Sequence, residues 1–135
     1  MNLRQISKIF YQLKLANQEL TSKFEKRTGF SITRYELMMF LKENGPCSQT
    51  ILQNELKIDS AAVTRHLKIL EEKNYVIRER NKENNREVFV RITNQAAKEL
   101  EQCEKEHSQL DKQEMLPLSE TEEETLLELL TKLVK

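Results

Sequence analysis

A mostly helical α+β fold is what this 135-residue sequence predicts. Three observations lead there. Apolar residues recur at helical spacing over most of the chain, one stretch switches to a period of two, and only two Gly and two Pro are present to interrupt elements. Charged residues make up 33% of the chain and aromatics 6%, which suits a helical, surface-rich protein better than a β-sandwich. The length fits one domain, and the modest apolar content favours a core completed by dimerisation.

The elements follow in order. Leu3, Ile6, Ile9, Phe10, Leu13, Ala16, Leu20 and Phe24 predict a long amphipathic helix over 3–27, stopped by Gly29. A second helix is expected from about Thr33, because Thr33-Arg34-Tyr35-Glu36 fits a capping box. Leu37, Met38, Phe40 and Leu41 form its apolar face, and Asn44-Gly45-Pro46 ends it. Ser48 is placed to cap a short helix reaching Leu56, and Asp59 to cap another over 60–73. In the latter, Ala62, Val63, Leu67 and Leu70 face inward, and Asn74 can take the left-handed conformation that ends it.

The period then changes. Segments 75–80 and 87–93 are rich in β-branched and aromatic residues, and Val88, Val90 and Ile92 alternate with Glu87, Phe89 and Arg91. Between them lies a polar tip, Asn81 to Arg86. Helix resumes at Asn94 with Ala96, Ala97, Leu100 and Cys103 on its stripe, extended by Leu110. Leu116-Pro117-Leu118 breaks that run, and Ser119-Glu120-Thr121-Glu122 is a capping box for a last, leucine-rich helix.

Two short helices joined by a tight turn and followed at once by a hairpin make a winged helix-turn-helix, whose second helix can enter the major groove of DNA. Residues 60–68 suit that role. Ser60, Ala61, Thr64, Arg65 and Lys68 are small, polar or basic on one side, while Val63 and Leu67 anchor the other. Lys82 and Arg86 stand where a wing would reach the backbone or a narrow minor groove. Gln49 and Thr50, opening the preceding helix, are candidates for phosphate. Lys and Arg together equal Asp and Glu at 22 each, yet residues 94–135 hold 11 of the acids against 5 bases. The first two-thirds are therefore net basic, so one face can still meet phosphates.

From Ser60-Ala61-Ala62-Val63-Thr64-Arg65-His66-Leu67, through Leu70-Glu71-Glu72-Lys73-Asn74-Tyr75-Val76-Ile77-Arg78, to Arg86 and Val88-Phe89-Val90-Arg91-Ile92-Thr93, the chain resembles the MarR family of bacterial regulators. The resemblance spans nearly the whole length. It implies a homodimer interlocked through the first and last helices, repression from pseudo-palindromic double-stranded operators, and in many members release by a small phenolic or lipophilic molecule. Others in the family respond to cysteine oxidation. The chain departs from the pattern at the wing. Asn84-Asn85-Arg86 replaces the usual Asp-x-Arg, so Arg78 needs another acceptor.

This reading divides one chain, 1–135, into a DNA-binding region at 31–93 and dimerisation helices at 1–28 and 94–135. Leu3, Ile6, Phe10 and Leu13, with Leu126, Leu130 and Leu133, are expected at the dimer interface. A cleft beside Phe10, Leu13, Met38 and Met39 is a candidate for a small apolar or phenolic ligand, though the same residues would serve as plain core. No nucleophile–base pair or Gly-rich phosphate loop is present, so an enzyme is not expected and no cofactor is invoked. Cys103 and His107, four apart among glutamates, are a weak metal motif, and a solvated His with a core Cys is favoured. Cys47 lies just before a helix start, where the dipole can lower a thiol pKa, but unreactive cysteines are favoured there too. No transmembrane run is seen, and a reduced, cytoplasmic protein is expected. The rival from another class is a helical protein-interaction module that does not bind DNA.

Overall fold

Residues 2–80, 83, 86–107 and 112–134 are described by a computed structural model. Helix α1 runs from Leu3 to Thr28. Asn2 and Gln5 cap it reciprocally: the Asn2 side-chain Oδ1 accepts from the Gln5 N–H at 2.9 Å, and Gln5 Oε1 accepts from the Asn2 N–H at 3.2 Å. Gly29 ends it at φ 80°, a left-handed conformation that glycine reaches without strain.

Helix α2, Ile32–Asn44, begins before the expected Thr33, and its cap is Ser31, whose Oγ accepts from the Arg34 N–H. The reason is tertiary. Phe30 is drawn onto the core beside the rings of Tyr35 and Tyr75, at 5.9 and 6.2 Å between centroids, so the chain turns at Ser31. A two-residue strand that the sequence did not reveal, β1 at Cys47–Ser48, precedes α3 at Gln49–Leu56. Ser48 caps α3 and Asp59 caps α4, Ser60–Glu72, as their positions predict. Asn74 follows at φ 63°.

Strands β2, Val76–Arg80, and β3, Val88–Ile92, form the hairpin, and β3 is the middle strand of the antiparallel order β1-β3-β2. The register sets Arg78 opposite Val90 and Cys47 opposite the same residue on the other edge. Helix α5 runs Asn94–His107, α6 is the short Lys112–Met115, and α7 runs Glu120–Leu133 behind the Ser119–Glu122 capping box. Thr93 Oγ1 accepts from the Ala96 N–H and donates to the Asn74 carbonyl, which ties the start of α5 to the turn after α4. Leu110 lies outside the described residues.

The core is built by α2 to α5 and the sheet. Leu37, Met38, Leu52, Leu67 and Leu100 are fully enclosed, with Val63, Leu70, Val76 and Val90 around them. Among the described residues neither α1 nor α7 contributes a buried side chain. Within a single chain, α1 meets α2 only near its end, where Phe24 packs edge-on against Tyr35, and Leu3, Ile9, Phe10 and Leu13 on α1 and Leu127, Leu129 and Leu133 on α7 stay exposed. No helix among the described residues is long and apolar enough to cross a membrane.

Candidate nucleic-acid interface

The turn between α3 and α4 takes three residues. Lys57 adopts φ 54° and its N–H returns to the Gln53 carbonyl, while Asp59 Oδ1 accepts from the Ala62 N–H at 2.7 Å. A left-handed lysine is costly for an L-residue, and here it closes α3 in one step. The turn sets α4 across α3 with Val63, Leu67 and Leu70 inward.

The opposite side of α4 faces solvent. Ser60, Ala61, Arg65 and Lys68 are exposed and Thr64 is half-buried. Ala61, Arg65 and Lys68 fall at helical repeats of four and three, so they share one stripe. The Thr64 hydroxyl donates to the Ser60 carbonyl at 3.1 Å, which fixes its rotamer. A concavity of about 180 Å³ opens beside this surface, lined by Gln49, Thr50, Gln53, Ser60, Val63, Arg86, Glu87 and Val88. It brings the starts of α3 and α4 together with the base of the wing. Gln53, Glu87 and Val88 are members that the sequence reading did not place at this surface, although the spacing of four from Gln49 puts Gln53 on the same face of α3. The Gln49 Oε1 is enclosed and, among the described residues, has no hydrogen-bond partner. Lys82 lies outside the described residues.

Arg78 finds its acceptor on α4. Its Nη2 donates to Glu71 Oε1 at 2.9 Å and its Nε to Glu71 Oε2 at 3.3 Å. That bonding holds the Glu71 carboxyl below its ordinary range. On the inner side of α4, His66 Nδ1 accepts from the Arg34 guanidinium of α2 at 3.3 Å. Burial, then the nearby Arg34 and Arg65 charges, pull the His66 pKa down, so the imidazole stays a neutral acceptor.

The expected ligand cleft is not formed as foreseen. Met38 is enclosed in the core and Met39 packs against it, whereas Phe10 and Leu13 stand exposed on α1. A cavity of about 340 Å³ lies elsewhere, between the end of α1, the start of α2, α4 and α5. Arg27, Arg34, Lys73 and His107 reach its wall, with Phe30, Tyr75, Glu99 and Cys103. Arg27 also pairs with Glu114 of α6. Hydrogen bonding to Glu99 and burial raise the Tyr75 pKa.

Both cysteines are buried thiols. Burial, then Glu55, pushes Cys47 up, and burial, then Glu106 and Glu104, pushes Cys103 up. Any lowering of the Cys47 pKa by the start of α3 is therefore outweighed by desolvation. Among the described residues, no group of three or more His, Cys, Asp or Glu side chains is arranged to hold a metal ion.

Of the residues expected at the dimer interface, none is buried within the single chain. Leu3 is 80% exposed, Phe10 65% and Leu133 66%. Leu13 is exposed to a lesser degree, and Ile6, Leu126 and Leu130 are half-covered.

Comparison with known proteins gives this geometry a context. The MarR family model matches residues 30–88, the span from Phe30 at the start of α2 to Val88 in the wing. The HTH-type transcriptional regulator YdgJ of Bacillus subtilis (strain 168) is 40% identical over 127 residues, covering 94% of this chain and 77% of that protein. A cysteine-to-serine variant of MarR from E. coli, solved in complex with operator DNA, superposes with a TM-score of 0.85 at 24% identity over 100% of both chains. A probable transcriptional regulator from Pseudomonas aeruginosa superposes with a TM-score of 0.82 at 27% identity, over 93% of this chain and 96% of that one. The helix-turn-helix, the three-stranded wing sheet and the flanking helices thus occur together in a chain that belongs to the MarR family of transcriptional regulators.

Proposed function

We propose that this protein is a cytoplasmic, homodimeric repressor that reads a pseudo-palindromic double-stranded operator and lets go of it when a small molecule binds. The observation that carries the reading is the shared surface of α4, α3 and the wing. Ser60, Ala61, Thr64, Arg65 and Lys68 face outward on a helix whose other side is locked into the core, and Arg86 stands beside Gln49 and Thr50. A helix presented this way fits the major groove. Arg65 is suited to guanine or phosphate, Ala61 and Thr64 to close approach and the thymine methyl, and Ser60 and Lys68 to backbone or base edges. Gln49 and Thr50 are suited to phosphate, and Arg86 and Lys82 to the backbone or the minor groove beside the wing.

Residues 31–93 are the DNA-binding unit, and 1–28 with 94–135 hold two copies together. Pairing through Leu3, Ile6, Phe10, Leu13, Leu126, Leu130 and Leu133 would set two copies of α4 about one DNA turn, roughly 34 Å, apart. The cavity between the end of α1, α5 and α4 supports the release step, since it touches both the dimerisation helices and the DNA-binding unit. Its lining sets Phe30 and Tyr75 among basic groups and the Glu99 and Glu106 carboxylates, a mixed wall that suits a small phenolic ligand, and the raised thiol pKa values favour a ligand over an oxidant.

The test is a fluorescence-anisotropy titration with duplexes from the protein's own upstream region, at two salt concentrations. Tight binding that beats random DNA and weakens steeply with salt is expected. Binding no better than to random DNA, from this region and from a duplex selected out of a random pool, would overturn the reading.

A further inference from the structure

The Glu71–Arg78 pair is unusual in where its carboxylate stands. Glu71 lies in the last turn of α4, where the unpaired carbonyls of a helix end disfavour negative charge, and that turn contains no basic residue. What offsets this is a residue of another element. Arg78 sits on the same face of β2 as buried Val76 and opposite buried Val90, so its guanidinium is aimed at α4 rather than at solvent. Its side chain is 21% exposed. Two bonds leave the guanidinium for the two oxygens of one carboxylate. Such a fork fixes direction as well as distance, which apolar contact at the base of the hairpin does not. A further ion pair of the hairpin, Arg91 with Glu79 at 3.5 Å, joins β2 to β3 and gives no hold on α4.

We propose that the Glu71–Arg78 pair is a clamp that sets the angle of the β2–β3 hairpin against α4 and thereby positions Arg86 on DNA. The inference rests on the DNA-binding reading above. Arg86 is four residues from Val90, the register partner of Arg78, so the lever arm is about 13 Å, and a rotation of roughly 10° at the clamp carries Arg86 by about 2 Å. A displacement of that size takes a guanidinium out of a minor groove only about 6 Å wide. Glu71 and Arg78 are positioning residues, and neither need touch DNA.

The experiment is a double-mutant cycle on the full-length protein, titrated by anisotropy against a palindromic duplex that the wild type enriches from a random pool. Arg86→Ala is expected to cost about tenfold in wild type and less than about threefold in a Glu71→Gln background, because an unclamped wing has already lost the contact. Arg78→Lys keeps the charge and loses the fork, so it should mimic Glu71→Gln. Thermal melts of every variant confirm that the compared proteins are folded. Equal costs of Arg86→Ala in the two backgrounds would overturn the clamp, as would an Arg78→Lys protein that behaves like wild type. No cost of Arg86→Ala in wild type would remove the wing contact and this inference with it. Salt-sensitive, sequence-selective binding by the wild type would in each case leave the DNA-binding reading standing.

Discussion

Replacing Phe10 by Ala should split the proposed dimer while leaving the chain folded. Phe10 is 65% exposed in the single chain and belongs to a helix with no buried side chain, so its truncation removes little from the monomer. A Phe side chain presents about 200 Å², of which about 130 Å² is then open to a partner. At about 25 cal/mol per Å², less the methyl that Ala retains, each protomer loses up to about 2.5 kcal/mol on association. A two-fold interface contains the residue twice, so the dimer loses up to about 5 kcal/mol, or between about three and four powers of ten in Kd. Sedimentation equilibrium over a wide concentration range reads this directly, with far-UV circular dichroism as the check on folding. A dimer Kd that moves less than about tenfold, with helicity intact, would refute the assignment of this face of α1 to the interface. A collapse of helicity at concentrations where wild type is dimeric would instead mean that the monomer does not fold alone.

Further outcomes are expected at the DNA surface and in the core. Arg65→Ala should cut discrimination between operator and random DNA by about tenfold or more, read by competition titration; equal losses on both would make Arg65 a phosphate contact only. Leu67→Ala, at a fully enclosed position of α4, should cost about 3 kcal/mol and lower Tm by roughly 10 °C, whereas Lys68→Ala beside it should leave Tm nearly unchanged and weaken DNA binding. Because the folded pKa of His66 lies below its ordinary 6.5, the unfolded chain binds the proton first. Stability should therefore be full above about pH 6.5 and fall as pH drops from there toward the lowered value. His66→Gln, which keeps an acceptor for Arg34, should flatten that slope in chemical denaturation at stepped pH. A slope unchanged by the substitution would assign it to another group.

Much of the fold could be read locally. The caps Ser48, Asp59 and Ser119, the left-handed Asn74 and the stop at Gly29 all depend on hydrogen bonds or dihedral preferences within a few residues, and a few residues of sequence display them. The inward set of α4 and the alternation of β3 follow from periods of 3.6 and 2. By subtraction, the same periodicity placed Ser60, Ala61, Arg65 and Lys68 on the outside.

What sequence alone determined, then, is the order of the elements other than β1 and α6, and the inward faces of the central helices and strands, because each of these is decided by short-range geometry. Tertiary structure decided the rest. Strand β1 exists only because Val90 and Phe89, some forty residues away, supply its ladder. The cap of α2 sits at Ser31, two residues before Thr33, where Phe30 packs with the rings of Tyr35 in α2 itself and Tyr75 in the turn before β2. The cavity formed against Arg34 and Lys73 rather than beside Phe10 and Met38, since burial of Met38 depends on which helices meet over it. Arg78 found Glu71 seven residues back, across a turn whose fold no period announces. Each of these is a contact between segments that the chain's local preferences do not bring together, and only packing the whole core chooses the partner.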